Sequence, residues 1–515
     1  MSNHEYTLSK DNNNNTFLVY PHHQQLTRLY YTLSPPTIQN LSLTQTMPSP
    51  LFLLCFMLCI SHAHQIILLP LRHSISKTQF NSTHHLLKTT STRSVARFHR
   101  HRQSQNSVSL PLSSGSDYTL SFNLGSHPSQ SITLYMDTGS DLVWFPCAPF
   151  QCILCEGKFN ATTPLKLTRS HRVSCQSPAC SAAHSSMSSH DLCAIARCPL
   201  DNIETFDCSS ATCPPFYYAY GDGSFIARLY RDSLSMSSLF LKNFTFGCAH
   251  TALAEPTGVA GFGWGLLSLP AQLATLSPNL GNRFSYCLVS HSFDEQRVRK
   301  PSPLILGRYD DSGEGSEFVY TSMLRNPKHP YFYCVGLSGI SVGKRTILAP
   351  EMLRRVNGRG DGGVVVDSGT TFTMLPASLY NSVVSEFDRR VGRVQKRASK
   401  VEEKTGLEPC YFLEGLVEVP TVTWHFVGND SNVVLPRGNY FYEFLDGDDG
   451  VRRKVGCLMM MNGGDDSELS GGPGATLGNY QQQGFEVVYD LENQRVGFAK
   501  RECASLWDNL NRHKS

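Results

Sequence analysis

The chain has 515 residues, 17% of them charged and 40% hydrophobic, which is room for two large lobes and leading segments. The net charge of +3 is uneven: residues 64–107 hold seven Lys or Arg, six His and no acid, while residues 108–515 hold 36 bases against 40 acids. No aromatic–basic surface module accompanies the basic leader, which excludes nucleic acid as its partner.

Residues 1–46 form a polar extension, Asn-rich around 12–15, which we read as an upstream start in the gene model, with a genuine 46-residue extension as the alternative. Residues 51–60, LFLLCFMLCI, are apolar but shorter than the ~20 residues a membrane span needs. With Ser61-His62-Ala63 behind them they read as a signal peptide over 47–63, cleaved after Ala63. This predicts a secreted protein of the extracellular space or cell wall, with the vacuole as the alternative. The C-terminal LWDNLNRHKS lacks the hydrophobic tail of a lipid-anchor signal, so no membrane anchor is expected. Residues 64–107 read as a basic propeptide. Its stretch from Arg93 to Arg102 can pair with an acidic cleft at neutral pH and lose that attraction as carboxylates protonate. A solvated linker is the alternative.

The body that follows has Val, Phe, Tyr and Leu in short runs broken by Gly or Pro, the pattern of a mostly β protein. Helical spacing of apolar residues is confined to short stretches such as Leu267–Leu273 and Ala377–Phe387. The polar run 310–316 reads as an interlobe stretch. Of 17 cysteines, Cys55 and Cys59 would leave with the signal, and nine lie between Cys147 and Cys213. Cys152-x-x-Cys155 can read as half a zinc site, but in a secreted chain a disulfide framework is the stronger reading. No metal or cofactor is expected. The remaining count is odd, and Cys334, inside the apolar YFYCVGL, is the candidate for a buried, inert free thiol. Asn160, Asn243 and Asn429 head glycosylation sequons.

One short phrase occurs twice. Residues 132–140 read ITLYMDTGS and residues 362–370 read GGVVVDSGT. Each is an apolar run entering Asp, a small hydroxyl residue, Gly, then Ser or Thr. Either copy alone is ordinary turn chemistry. Each, however, has an echo downstream: Gly258-Val-Ala-Gly261-Phe-Gly after Asp137, and Ala475-Thr-Leu-Gly478-Asn after Asp367. A long repeat in matched order suggests two homologous lobes. Two carboxylates brought together at their junction cannot both ionise easily, so one keeps a proton while the other can activate water.

These residues resemble the pepsin-like (family A1) aspartic proteases, and most closely the plant branch of nepenthesins and nucellin-like enzymes. The matching phrases, in order, are DTGSDLVWFPC (137–147), YAYGDGS (218–224), GVAGFGWGLLSLPAQL (258–273), RFSYCL (283–288), VVVDSGTTFTMLP (364–376) and TLGNYQQQGFEVVYDLENQRVGFA (476–499). The resemblance implies a mostly β, bilobal fold of two β-barrel lobes with the active-site cleft between them. The N-terminal lobe, 108–315, would carry a Cys-rich insertion, and the C-terminal lobe would fill 316–515. It implies a monomeric acid endopeptidase acting on proteins or peptides, with Asp137 and Asp367 catalytic. Thr138 and Ser368 would bond across the axis, Ser140 and Thr370 would donate to the outer carboxylate oxygens, and Gly139 and Gly369 would allow close backbone approach. Tyr220 would be the flap tyrosine, with Trp144 beneath it bonding its hydroxyl, and Cys410 would pair with Cys457. The chain departs from the family after the flap turn, where it has Phe225-Ile-Ala-Arg-Leu-Tyr-Arg in place of a small hydroxyl residue and Gly. The competing reading is a non-catalytic, xylanase-inhibitor-type binding protein on the same fold, and a zinc protein built on the Cys-rich segment stands well behind both.

Overall fold

Six antiparallel strands form the sheet on which everything else is hung. They run side by side as Ile67–His73, Ser302–Leu306, Arg283–Cys287, Phe485–Asp490, Arg495–Lys500 and Val319–Leu324. The computed structural model describes residues 8–10, 16–18, 66–73, 82–100, 118–125, 129–155, 163–167, 170–219, 223–280, 282–289, 301–307, 318–415, 417–447, 452–465 and 471–512. Residues 1–62 and 63–515 make two separate units; in the first, Leu8–Lys10 pairs antiparallel with Thr16–Leu18. The signal segment 47–63, the interlobe stretch 310–316, Tyr220 and Asn160 lie outside the described residues.

Each half of the larger unit repeats one motif. In the first, Gln130–Asp137 runs parallel to Val259–Gly261, with Gly261 opposite Asp137. In the second, Val364–Val366 runs parallel to Ala475–Leu477, and Asp367 N–H donates to Leu477 O. The repeated sequence echoes are therefore the partner strands that pin the two Asp loops. Val364–Val366 and Ala475–Leu477 are buried on both faces, which is why VVV reads as an unbroken apolar run instead of an alternating one. The predicted helices appear as Leu269–Leu276, with Ser268 capping its N-terminus, and Ala377–Arg390.

Seven disulfides hold the described residues: Cys147–Cys248, Cys152–Cys155, Cys175–Cys193, Cys180–Cys213, Cys198–Cys208, Cys287–Cys503 and Cys410–Cys457. Cys334 is the free thiol among them, and burial pushes it up to about 12. Three of the bridges knit the short helices Pro178–Ala183, Ser189–Ile195 and Leu200–Glu204 of the insertion together. That segment has few large apolar side chains of its own, so covalent ties do what a core would otherwise do.

The leader is packed against the body, not solvated. Ile67–His73 is built into the central sheet, and a helix over Thr83–Arg100 lies along the second half. Leu86, Leu87 and Phe98 are fully buried against Phe372, Met374, Val401, Leu407 and Met459, a docking worth about 2 kcal/mol for each such side chain. Ser91 donates to Thr405 O at 2.8 Å, Ser94 accepts from Phe372 N at 3.1 Å, and His84 lies 3.3 Å from Asp446.

Candidate active site

The two Asp loops meet back to back. Thr138 N–H donates to Ser368 Oγ at 3.0 Å and Ser368 N–H to Thr138 Oγ1 at 2.8 Å, a reciprocal pair across the junction. The hydroxyls go on to the opposite strands, Thr138 to Val366 O at 3.0 Å and Ser368 to Met136 O at 3.3 Å. The glycines face the other loop's carboxylate. A Cβ on Gly139 would stand 2.6 Å from the Asp367 carboxyl, and one on Gly369 would stand 2.2 Å from Asp137 Oδ1. No side chain fits at either place, so the sequence Asp-hydroxyl-Gly is a steric requirement of bringing two such loops together.

Asp137 and Asp367 are buried, at 1% and 0% exposure. Each accepts from the backbone of its own glycine, Gly139 N–H at 2.9 Å and Gly369 N–H at 2.8 Å. Thr370 donates to Asp367 Oδ2 at 2.6 Å. Ser140 differs from expectation: among the described residues neither its Oγ nor Asp137 Oδ2 has a hydrogen-bond partner. Asp137 is held through Oδ1, by the Gly139 N–H and by a guanidinium.

That guanidinium belongs to Arg97 of the leader helix. Its Nη2 is 2.6 Å from Asp137 Oδ1 and 3.4 Å from Asp367 Oδ1, and its Nε is 3.0 Å from Asp367 Oδ2. Arg97 is itself buried, at 5% exposure. Burial alone would push the Asp367 carboxyl up, but Arg97, the Thr370 hydroxyl and the Gly369 N–H together hold it below the usual carboxylate range. The sequence marks a basic leader but gives no sign of which base reaches the pair. Its helix is rich in Thr and Ser, whose hydroxyls bond back to the preceding turn, as Thr90 does to Leu86 O and Ser94 to Thr90 O.

Trp144 is wholly buried and stacks on Phe225 at 4.0 Å, which in turn stacks on Tyr218 at 5.6 Å. The unusual Phe225 thus fills the space beside Trp144, while Ile226 points out, half exposed. A third carboxyl lies close by. Asp141 accepts Gly265 N–H at 2.6 Å, yet burial pushes it up to about 6. Further groups went unnoticed in the sequence. Asn479 donates to Ser368 O at 3.0 Å, Gln481 to Asn439 O and Met459 O, and Gln482 to Leu477 O at 2.8 Å. The run of three glutamines, 481–483, is entirely buried; a polar triplet between two apolar strands was the available signal.

Among the described residues, the cluster close enough to hold a metal is Cys180, His184 and Cys213. Both of its sulfurs are consumed in one disulfide, as are those of Cys152 and Cys155, so the thiolates a zinc site needs are not on offer. Asn243 and Asn429 are exposed.

Residues 118–308 match the family model for the xylanase inhibitor N-terminal domain, and residues 332–500 the one for the xylanase inhibitor C-terminal domain. A probable aspartyl protease of Arabidopsis thaliana is 66% identical over 427 residues, 78% of this chain and 85% of that protein. Aspartic proteinase nepenthesin-1 of Nepenthes gracilis is 30% identical, over 76% of this chain and 78% of its own. Among solved structures, soybean basic 7S globulin is similar with a TM-score of 0.54 at 20% identity, covering 76% of this chain and 95% of its own. Conglutin gamma, a basic 7S globulin from lupine seeds, is similar with a TM-score of 0.56 at 17% identity, covering 86% and 96%.

Proposed function

The chain belongs to the pepsin-like aspartic protease family, in its plant branch, and from that premise we propose that it is a secreted aspartic endopeptidase. It is made as an inactive precursor and hydrolyses peptide bonds in acid. The observation that carries the reading is the reciprocal packing of Gly139 and Gly369 against the opposite carboxylates, which sets Asp137 and Asp367 face to face.

In the active form a water stands where Arg97 Nη2 now sits, between the Oδ1 atoms of the two aspartates. One carboxylate takes a proton from that water as it attacks the peptide carbonyl. The other, protonated, donates to the carbonyl oxygen. The resulting gem-diol collapses when a proton passes to the nitrogen, and the amine leaves. Split proton affinities are a known property of the paired aspartates in this protease family, and the titration belongs to the pair, not to either residue. Substrate lies as an extended strand in the cleft, its side chains in alternate pockets. Arg97 occupies the water site in the precursor. The chain acts as a monomer, with glycans on Asn243 and Asn429.

The test uses full-length protein from a secreting host, exposed to acid and assayed on a denatured protein at about pH 3–5, where a shared proton is available. Asp137→Asn protein and a pepstatin control run beside it. Cleavage lost in both supports the reading. No cleavage by folded protein freed of its leader moves the assignment to a non-catalytic binding protein, and an active, folded Asp137→Asn variant overturns the mechanism.

A further inference from the structure

Behind the two Asp loops, on the side away from the cleft, lies a closed chain of buried polar groups. Tyr286 comes from the strand Arg283–Cys287, Tyr489 from its neighbour Phe485–Asp490, and Gln482 from the turn of helix Asn479–Gln482. The three are 0–1% exposed. Tyr286 donates to Gln482 Oε1, and the two phenol oxygens are 2.9 Å apart. Tyr489 also lies 3.5 Å from Val366 O. Gln482 Nε2 donates to Leu477 O at 2.8 Å and to Asp367 O at 3.4 Å.

The proton arrangement of this chain has one direction. Two carbonyls face Gln482 Nε2, so the amide cannot be turned round and its Oε1 must accept. Tyr286 therefore donates to it, which leaves the Tyr286 oxygen as acceptor towards Tyr489. The chain ends on the carbonyls of Leu477, at 2.8 Å, and Asp367, at 3.4 Å: the strand that pins the Asp367 loop and the loop itself. Its surroundings give no other reason for hydroxyls here. Tyr489 is stacked on Phe284 at 4.7 Å and lies 4.5 Å from Tyr333, a setting in which a phenylalanine would pack equally well. A buried phenol is costly unless bonded, so these two are retained for what they bond.

We infer that Tyr286, Tyr489 and Gln482 are positioning residues for the reaction, holding the Asp367 loop from behind through its own backbone carbonyl and that of the strand that pins it. None of them reaches the cleft. The inference rests on the proposed proteolytic function and names a device beyond the reciprocal Thr138–Ser368 bonds. A shift of one loop against the other separates the two carboxylates, and with them the proton they share. The consequence falls on turnover and on its pH dependence, not on substrate binding.

The experiment uses acid-matured enzyme carrying Tyr286→Phe, Tyr489→Phe, or both, with Gln482→Met as a second way into the chain. The control is Tyr380→Phe, which removes a hydroxyl donated to Glu408 O. The expected result is a kcat lower by roughly tenfold or more, the scale at which a misplacement of an ångström or less is felt. KM should stay within about twofold, the acid limb of the kcat/KM profile should move, and the double variant should be no worse than the more severe single one, because the chain acts as a unit. Phe variants whose kcat and pH profile match the Tyr380→Phe control overturn the inference, as does a Gln482→Met enzyme with normal turnover should the tyrosine variants not fold. An inactive wild type would count against the proposed function instead, which separates the two failures.

Discussion

Arg97→Ala should unlock the precursor. Arg97 makes three charged contacts to the two aspartates, at 2.6, 3.0 and 3.4 Å, from a buried position. Removing one partner of a buried ion pair costs about 3–5 kcal/mol. Part of this is recovered, since a vacated pair can take in water and share a proton. A net loss of roughly 2 kcal/mol corresponds to about a 30-fold rise in the open-to-closed ratio of the leader helix. The helix does not fall away altogether, because Leu86, Leu87 and Phe98 remain buried and Ser91 and Ser94 keep their bonds. The pH sign follows from Asp367. Its carboxyl is depressed in the folded protein below its ordinary 3.8. The stabilisation is therefore complete above that value and is lost as pH falls through the folded value. The assay is the initial rate of a quenched peptide substrate with uncleaved full-length protein at about pH 6, repeated towards pH 3. Variant protein should start about 30-fold faster at the higher pH, and the two proteins should converge in acid. Equal latency at the higher pH would refute the argument, and would mean that helix docking alone closes the cleft.

Gly139→Ala and Gly369→Ala should each abolish activity, because the new methyl meets the opposite carboxyl at 2.6 and 2.2 Å. Gly438→Ala, where nothing lies within 4 Å, should not change it. Asp141 should give the opposite pH sign to Asp367. Its folded value of about 6, against 3.8, means the folded protein binds this proton more tightly than the unfolded chain does, so stability falls as pH rises between the two, by at most about 3 kcal/mol. Asp141→Asn should flatten the melting temperature across that window, and an unchanged slope counts against it. Replacing Cys410 and Cys457 by Ala opens a loop of 47 residues, worth roughly 4 kcal/mol on the chain-entropy model. Denaturant titration of the double variant measures this.

The repeat was legible because its chemistry is local. An Asp loop needs an apolar strand before it, a glycine within it, and a second short strand to pin it. All of these leave residues in fixed order, as in MDTG with VAGFG and VDSG with TLGN. The free thiol was legible from its apolar strand, and the helix starting at Ala377 from its spacing. The leader helix was not. It buries Thr90, Ser91 and Ser94 at 0–2% exposure, and no periodicity of apolar residues reports a face made of hydroxyls. Arg97 was one base among seven, and only the docking of Leu86, Leu87 and Phe98 selects it. The Tyr286–Tyr489–Gln482 chain joins positions about 200 residues apart, and nothing in either neighbourhood announces the other. Ser140 shows the limit of carrying a role across by position alone, since its counterpart Thr370 donates to its aspartate and it does not.

The fold alone does not assign the activity, since two basic 7S globulins share it at 17–20% identity. The site narrows it. A binding protein built on this architecture needs its two lobes joined, and the central sheet with the Cys287–Cys503 bridge already does that. It has no need for two buried carboxylates at one place, which are costly to keep together without a use. Still less does it need a third party to neutralise them. The leader provides that party in Arg97, at the end of a helix that is anchored along its length, and it does so at the one point where a reacting water would stand. Closure of that point in the precursor is an expense without return in a protein that never opens it. The same residues argue against a permanently closed form, because two of the clamp's contacts run to Asp367, whose depressed carboxyl ties the clamp to pH. A cleft that is stoppered at neutral pH and loosened in acid is what the proposed latent enzyme requires.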